Sequence, residues 1–203
     1  MDQQTTSPII SEHRINKIRD VVAHRQKGLA IILEDVHDPH NAAAIMRTAD
    51  SLGITDIRLV FIKEAPYDPR LIGKVSSSSA NKWMDFHIYT SIDNCYTDLR
   101  NEGFHIIVTT LTPESKKLEE SDLIVAPLAI VFGNEHAGVS TEAVTGANAS
   151  LYIPMVGMVQ SLNVSVSAAI VMTEVVRRRK ETGRDYTYSA QEQIEFVDDY
   201  LLR

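Results

Sequence analysis

The chain has a single cysteine, Cys95, among 203 residues. One thiol excludes an intramolecular disulfide framework and any cysteine-rich zinc or iron–sulfur site, and it points to a reducing, cytoplasmic compartment. Long apolar runs are also missing. The most hydrophobic stretch, residues 164–176, is broken by Ser165, Ser167, Thr173 and Glu174, so no membrane span is expected. The first ten residues, MDQQTTSPII, are polar and lack a basic start followed by an apolar run, which predicts no secretory signal. Positive charge is not in excess either: 20 Lys and Arg stand against 27 Asp and Glu, for a formal net charge of −7. Taken alone, that balance argues against a nucleic-acid partner.

The familiar fingerprints of nucleotide and hydrolase chemistry are absent as well. There is no G-x-G-x-x-G after a strand-like run and no G-x-x-x-x-G-K-[ST], which disfavours an ordinary dinucleotide fold and a P-loop NTPase. No G-x-S-x-G elbow occurs, and Glu135-His136 lacks the second histidine of H-E-x-x-H, so no metal site is expected.

What remains is a chain that is 44% hydrophobic and long enough for one domain with a sizeable core. Its pattern alternates. Ile15, Ile18, Val21 and Val22 recur at three- and four-residue steps, predicting an amphipathic helix over 11–27 ended by Gly28. A short apolar run at 29–33 reads as a strand buried on both faces. Asp38-Pro39 supplies an N-cap and first-turn proline for a helix closed by Gly53, and the next strand is expected at 57–62. Strands are then expected at 83–89, 104–109, 128–132 and 151–153. Helices are expected at 91–101, after Ser140, and over about 161–180. The fold class is α/β with a mostly parallel sheet. The segment after Gly183 reads as a peripheral helix or a partly disordered acidic end.

Three polar clusters fall where a strand's carboxyl end meets a loop, the edge at which open α/β sheets bind ligands. The first runs from Glu34 to Asn41 (EDVHDPHN) and is followed by Arg47. Its bland alternative is a cap at Asp38, a first-turn surface histidine at His40 and a solvated charge at Arg47. The second, FGNEHAGVS, brackets Asn134, Glu135 and His136 with Gly133 and Gly138, so backbone amides can approach a ligand closely; an ordinary tight turn is the alternative. The third, IPMVGMVQSLNVSVS, has too little charge for an exposed loop and carries Ser161, Asn163, Ser165 and Ser167. It is expected to be buried, in a partner interface or around a ligand with an apolar body and polar ends, with a plain core turn as the alternative.

LEDVHDPHNAAAIMRTADSLGI, IVFGNEHAGVS and IPMVGMVQSLNVSVSAAIVM together resemble the three motifs of the SPOUT superfamily of S-adenosylmethionine-dependent RNA methyltransferases, in its TrmH branch of 2′-O-ribose methylases. With SSSSANKW and the leading basic helix, the resemblance covers residues 11–180. Within the branch, HRQKG and MVGMVQSLNVSV look most like the enzymes that methylate the D-loop guanosine of tRNA, position 18. The resemblance implies a C-terminal deep trefoil knot, a rare exception to unknotted chains, and a homodimer. It implies a donor pocket at Thr109, Leu111, Gly133, Ile153, Met158 and Leu162, and catalytic positions at Asn41, Arg47, Glu135, Ser161 and Asn163. It also implies three regions: a basic helical extension over 1–28, the methyltransferase body over 29–180 and an acidic tail over 181–203.

A guanidinium stays protonated at neutral pH and is a poor base. Arg47 is therefore expected to bind phosphate and polarise the ribose 2′-oxygen, while the proton leaves through phosphate or water. Asn41, Ser161 and Asn163 would fix loop geometry, and Glu135 would support its neighbours. RNA binding needs cations, and they are concentrated at the two ends of the motif-bearing body. Arg14, Lys17, Arg19, Arg25 and Lys27 stand against Glu12 and Asp20, and residues 177–184 hold five basic residues against Glu181. Arg14, Arg19, Arg25, His40, Lys82, Arg177 and Arg178 are the expected RNA contacts, with solvated helix faces as the alternative. Other readings stay open: methylation of a wobble nucleotide or of ribosomal RNA, a non-catalytic RNA-binding module that keeps the donor pocket, and a general small-nucleotide binder.

Overall fold

A computed structural model describes residues 11–72 and 80–203. Seven strands form one sheet: β1 (Leu29–Glu34), β2 (Asp56–Val60), β3 (Asp85–Tyr89), β4 (His105–Thr109), β5 (Lys116–Lys117), β6 (Leu128–Phe132) and β7 (Ala149–Tyr152). Their order is β3-β2-β1-β6-β4-β7-β5 and every pairing is parallel. The helices are α1 (Glu12–Val22), α2 (Pro39–Ser51), α3 (Ile92–Asn101), α4 (Thr141–Gly146), α5 (Val164–Glu181) and α6 (Ala190–Leu202). No described helix is long and apolar enough to cross a membrane.

All six residues of β1 are buried, as a continuous apolar run in a parallel sheet requires. Alternate side chains serve opposite faces. Leu29, Ile31 and Leu33 pack with Ile45 and Met46 of α2 and with Val171, Met172 and Val175 of α5. Ala30 and Ile32 join Cys95, Tyr96 and Leu99 of α3 and Ala143 of α4. Cys95 is fully buried, and burial pushes its thiol up to about 12, so it serves as a small core residue.

α2 begins as its sequence dictates: Asp38 accepts the His40 amide at 2.8 Å, and Pro39 opens the first turn. It ends at Ser51, and the chain turns away at Gly53, whose φ is +81°; a Cβ there would stand 2.5 Å from the His24 carbonyl oxygen. α4 is likewise capped by Ser140 and α3 by Ser91.

Several boundaries differ from expectation. The first helix stops at Val22, because the His24 and Arg25 amides turn back onto the carbonyls of Val21 and Val22 and the Gln26 amide leaves for Gly53. β3 starts at Asp85; residues Ala80–Trp83 form a 3-10 turn, and the Trp83 carbonyl accepts the Tyr200 hydroxyl at 2.8 Å. α5 starts at Val164, since Asn163 is its cap, accepting the Ser165 amide at 2.8 Å. The two-residue β5 carries no pattern a sequence could reveal.

The acidic end is an ordered helix. Ser189 and Glu192 form a capping box for α6, and Tyr200 packs with Ile18 and Val22 of α1. Arg203 then donates to the Lys82 and Met84 carbonyls and pairs with Asp85 at 3.0 Å.

Candidate active site

Strands β1, β6, β4 and β7 are neighbours in the sheet. Because all are parallel, their carboxyl ends share one edge, and the loops that leave them carry the three polar clusters.

Asp35, just after β1, has φ +49°. This left-handed geometry is tolerated by aspartate when its side chain finds local donors. Asp35 Oδ1 accepts the amides of Ile62 at 2.7 Å, Lys63 at 3.1 Å and Glu64 at 3.2 Å, which ties the loop after β2 to the loop after β1. Glu64 Oε2 in turn lies 2.7 Å from His37 Nδ1, and the contact raises His37 above the ordinary imidazole value.

Glu135 joins the first and second clusters. Its carboxylate accepts the backbone amides of His37 at 3.0 Å and Asp38 at 3.3 Å, and the side-chain amide of Asn41 at 2.7 Å. Burial alone would raise its pKa, yet the Asn41 and backbone donors outweigh it and hold the carboxyl below its usual range. The third cluster attaches through Asn163, which donates to Asn41 Oδ1 at 3.0 Å. Glu135, Asn41 and Asn163 thus form one continuous hydrogen-bonded chain across three loops. Arg47 stands exposed two turns further along α2, and Ser161 is exposed just before Asn163.

The loop after β6 is shaped by backbone proximity. The Asn134 and Gly138 backbones exchange hydrogen bonds at 3.0 and 2.9 Å, and a Cβ on Gly133 would lie 2.3 Å from the Gly138 carbonyl carbon. Buried Glu34 holds the loop's far end, accepting the Ser140 amide at 2.9 Å and its hydroxyl at 2.5 Å; burial raises the Glu34 pKa.

Of the expected donor-pocket residues, Thr109 ends β4 and donates to the Val131 carbonyl at 2.8 Å. Ile153 is half-buried against the core, and Leu162 is half-buried. Leu111 is 74% exposed and Met158 wholly exposed. Val156 and Val159 are exposed as well, so the third cluster is open in the single chain and is not the plain core turn that was its alternative.

The structure also redistributes the expected RNA contacts. Arg25 is only 1% exposed, pairs with Asp50 at 2.8 Å and stacks on Tyr200, so its charge is held inside the fold and away from solvent. Arg178 is half-buried, bonded to Glu174 and to the carbonyls of Ser121 and Leu118. Arg177 is exposed and forms ion pairs with Glu174 and Glu181. Arg14, Arg19, His40 and Lys82 are exposed. Ser76 to Ser79 lie outside the described residues. Lys17, His24, Lys180 and Arg184, from the two basic ends of the sequence, line one groove of about 600 Å3.

Glu34, Asp35 and Glu64 shape the site, although no motif of the sequence gives them a role. Two consecutive acids directly after a fully buried strand were the available signal for the first two. Glu64 sits beyond an unremarkable strand, and only the tertiary structure brings it to His37.

The parallel sheet thus carries an amide–carboxylate chain beside a glycine-shaped loop at the carboxyl ends of its strands, the edge at which open α/β sheets bind ligands. The chain belongs to the SpoU rRNA Methylase family, which it matches over residues 28–173. It is 36% identical over 173 residues to a tRNA (guanosine(18)-2′-O)-methyltransferase of Thermus thermophilus, covering 85% of this chain and 87% of that one. An Escherichia coli protein of the same description is 34% identical, over 84% of this chain and 72% of its own length. The crystal structure of the Aquifex aeolicus TrmH/SpoU tRNA modifying enzyme superposes with a TM-score of 0.83 at 33% identity, covering 94% of this chain and 96% of that one.

Proposed function

We propose that this chain is a cytoplasmic S-adenosylmethionine-dependent 2′-O-ribose methyltransferase that acts on tRNA at guanosine 18 of the D-loop. The observation that carries the reading is the Glu135–Asn41–Asn163 chain at the carboxyl edge of the sheet, whose Asn41 lies on the same helix as exposed Arg47. The relatives named above carry this activity in their descriptions and align over most of both chains.

S-adenosylmethionine supplies a methyl group on a positively charged sulfur. The residues around its expected place suit such a molecule: Gly133 lets the Gly138 backbone close against it and so shapes the loop, and Leu111, Ile153, Met158 and Leu162 offer apolar faces for an adenine. Arg47 binds the phosphate next to the target ribose and polarises its 2′-oxygen. Asn41 and Asn163 hold the ribose side of the site in register, with Ser161 beside them, and Glu135 keeps Asn41 and the turn into α2 in place.

Residues 29–180 carry the transferase body, preceded by the basic extension 1–28 and followed by the acidic tail 181–203. The third cluster belongs to a deep trefoil knot, and two protomers pack over it as a homodimer. The exposed Val156, Met158 and Val159 support this, since an apolar loop of this kind is unfavourable in water. Arg14, Arg19, His40, Lys82 and Arg177, with the groove lined by Lys17 and Arg184, contact phosphates.

The test is incubation with labelled S-adenosylmethionine and unmodified total tRNA. Label recovered in ribose-methylated nucleotides is the expected result. Donor binding without methylated ribose would instead assign the chain to non-catalytic RNA binding.

A further inference from the structure

The loop after β2 is fixed at both ends. At the carboxyl edge of the sheet, Asp35 holds its start through the amides of Ile62, Lys63 and Glu64. At its far end, Asn81, only 7% exposed, donates its side-chain amide to the Arg70 carbonyl at 2.7 Å and to the Ile72 carbonyl at 3.4 Å. One described segment, residues 62–72, thus leads from the candidate active site to a groove of about 580 Å3 along β3, the outermost strand of the sheet.

Two cations stand exposed at this groove on backbone that is held in place. Arg70 is 61% exposed, and its ion-pair partner Asp68 lies 3.9 Å away, too far and too open to water to hold the guanidinium tightly. The guanidinium instead lies over the Phe86 ring of β3, 5.5 Å from its centroid, which gives the charge a preferred plane. Lys82 is exposed, and its ammonium has no ion pair among the described residues. Its carbonyl accepts from Arg203 at 2.8 Å. Arg203 itself is engaged by Asp85 at 3.0 Å and Asp199 at 2.6 Å, so it braces the turn and compensates the one acid that lines the groove. The charge left facing solvent is therefore positive, on a chain whose net charge is −7.

We propose that Arg70 and Lys82 form a clamp for the phosphodiester backbone of tRNA, with Asn81 and Arg203 as its positioning residues; this rests on the tRNA methyltransferase reading above. A guanidinium lying on an aromatic ring offers a flat face on which an unstacked base can lie, while the ammonium takes the neighbouring phosphate. An acidic peptide would meet the same two charges. The continuity of residues 62–72 with the carboxyl edge favours the RNA that the edge itself receives. Because the clamp holds phosphate, it adds affinity for tRNA away from the target nucleotide without selecting a base there.

Equilibrium binding of a tRNA transcript, followed from about 50 to 200 mM salt, tests this, since each phosphate contact adds about one to the slope of log affinity against log salt. Arg70→Gln and Lys82→Gln are each expected to weaken binding roughly fivefold at low salt and to reduce the slope by about one, and the double variant by about two. Arg70→Lys keeps the charge and is expected to keep the slope. Calorimetric donor binding and circular dichroism verify that each variant is folded. Wild-type affinity and slope in the double variant overturn the proposal. Weaker binding with an unchanged slope overturns it too, because the substitutions would then act through shape and not through charge. A wild type that binds no tRNA would sink the functional reading itself and is distinguishable from both.

Discussion

At Glu135, burial and hydrogen bonding act in opposite directions on one carboxylate, and hydrogen bonding wins. Its lowered pKa means that its structural contribution is complete above the ordinary glutamate value of about 4.3 and is lost as pH falls through the folded value. Glu135→Gln keeps the shape but replaces one acceptor oxygen with a donor, which then faces a backbone amide. Methyl transfer is expected to fall about 100-fold, because small misplacements at a reacting centre are costly, while circular dichroism stays that of the wild type. A variant with wild-type turnover would contradict the role given to this residue. Two glycines give a paired prediction. Gly133→Ala forces a Cβ against the Gly138 backbone, which cannot yield as a flexible side chain would, so donor affinity measured by calorimetry is expected to drop at least about tenfold, or roughly 1.4 kcal/mol. Gly157 has open space around its Cβ position, and Gly157→Ala is expected to bind the donor as the wild type does. At this scale the sequence was informative about residue type and silent about pairing. Asn41, Glu135 and Asn163 were identifiable by motif, whereas the burial of Arg25 on Asp50 and Tyr200 was not, because a basic helix face looks the same whether its charges meet solvent or a carboxylate.

Elements were most readable where a local signal decides the backbone. Asp38-Pro39 marked the start of α2, Ser91 that of α3 and Ser140 that of α4, since side-chain caps act within three residues. They were least readable where a distant partner decides. Trp83 left the expected strand for a turn that α6 holds, and the end of α1 is set by Gly53, some thirty positions away in the chain. α6 itself depends on one half-buried acid, Glu192. Lys27 and the Ser189 side chain, followed by the Ser189 amide, pull Glu192 down to about 2. A depressed carboxylate stabilises the fold above its ordinary value and ceases to do so as pH falls toward the folded one. Trp83 is the only tryptophan and its ring lies 5.0 Å from that of Tyr200 in α6, so its fluorescence reports the docking of this helix. Between pH about 4.5 and 2, the wild type is expected to lose the docked signal progressively. Glu192→Gln should begin from a weaker signal at pH 7 and change less across that range. Identical acid titrations would show that the capping box does not hold the helix.

For the whole molecule, the net charge of −7 proved a poor guide to partners. Folding brings Lys17 and His24 from one basic end beside Lys180 and Arg184 from the other, so cations that the sequence separates share one groove with Asp20, Asp50 and Asp185. The parallel α/β class was legible from the alternation of short apolar runs and capped helices. The strand order was not, because pairing between β1 and β6 joins segments almost a hundred residues apart. The exposed loop with Val156 and Met158 makes a further prediction at this scale. Sedimentation velocity is expected to give a dimer, and Met158→Asp is expected to shift it toward monomer with loss of donor binding; a monomeric wild type would contradict the dimer.

The most direct test of the account is the position of the methyl group. Wild-type protein, S-adenosylmethionine and an unmodified tRNA transcript should yield one product by nuclease digestion and mass spectrometry, a 2′-O-methylated guanosine at position 18, and Arg47→Ala should yield almost none. Methyl on a base, at the wobble nucleotide, or equally abundant with Arg47→Ala would contradict it.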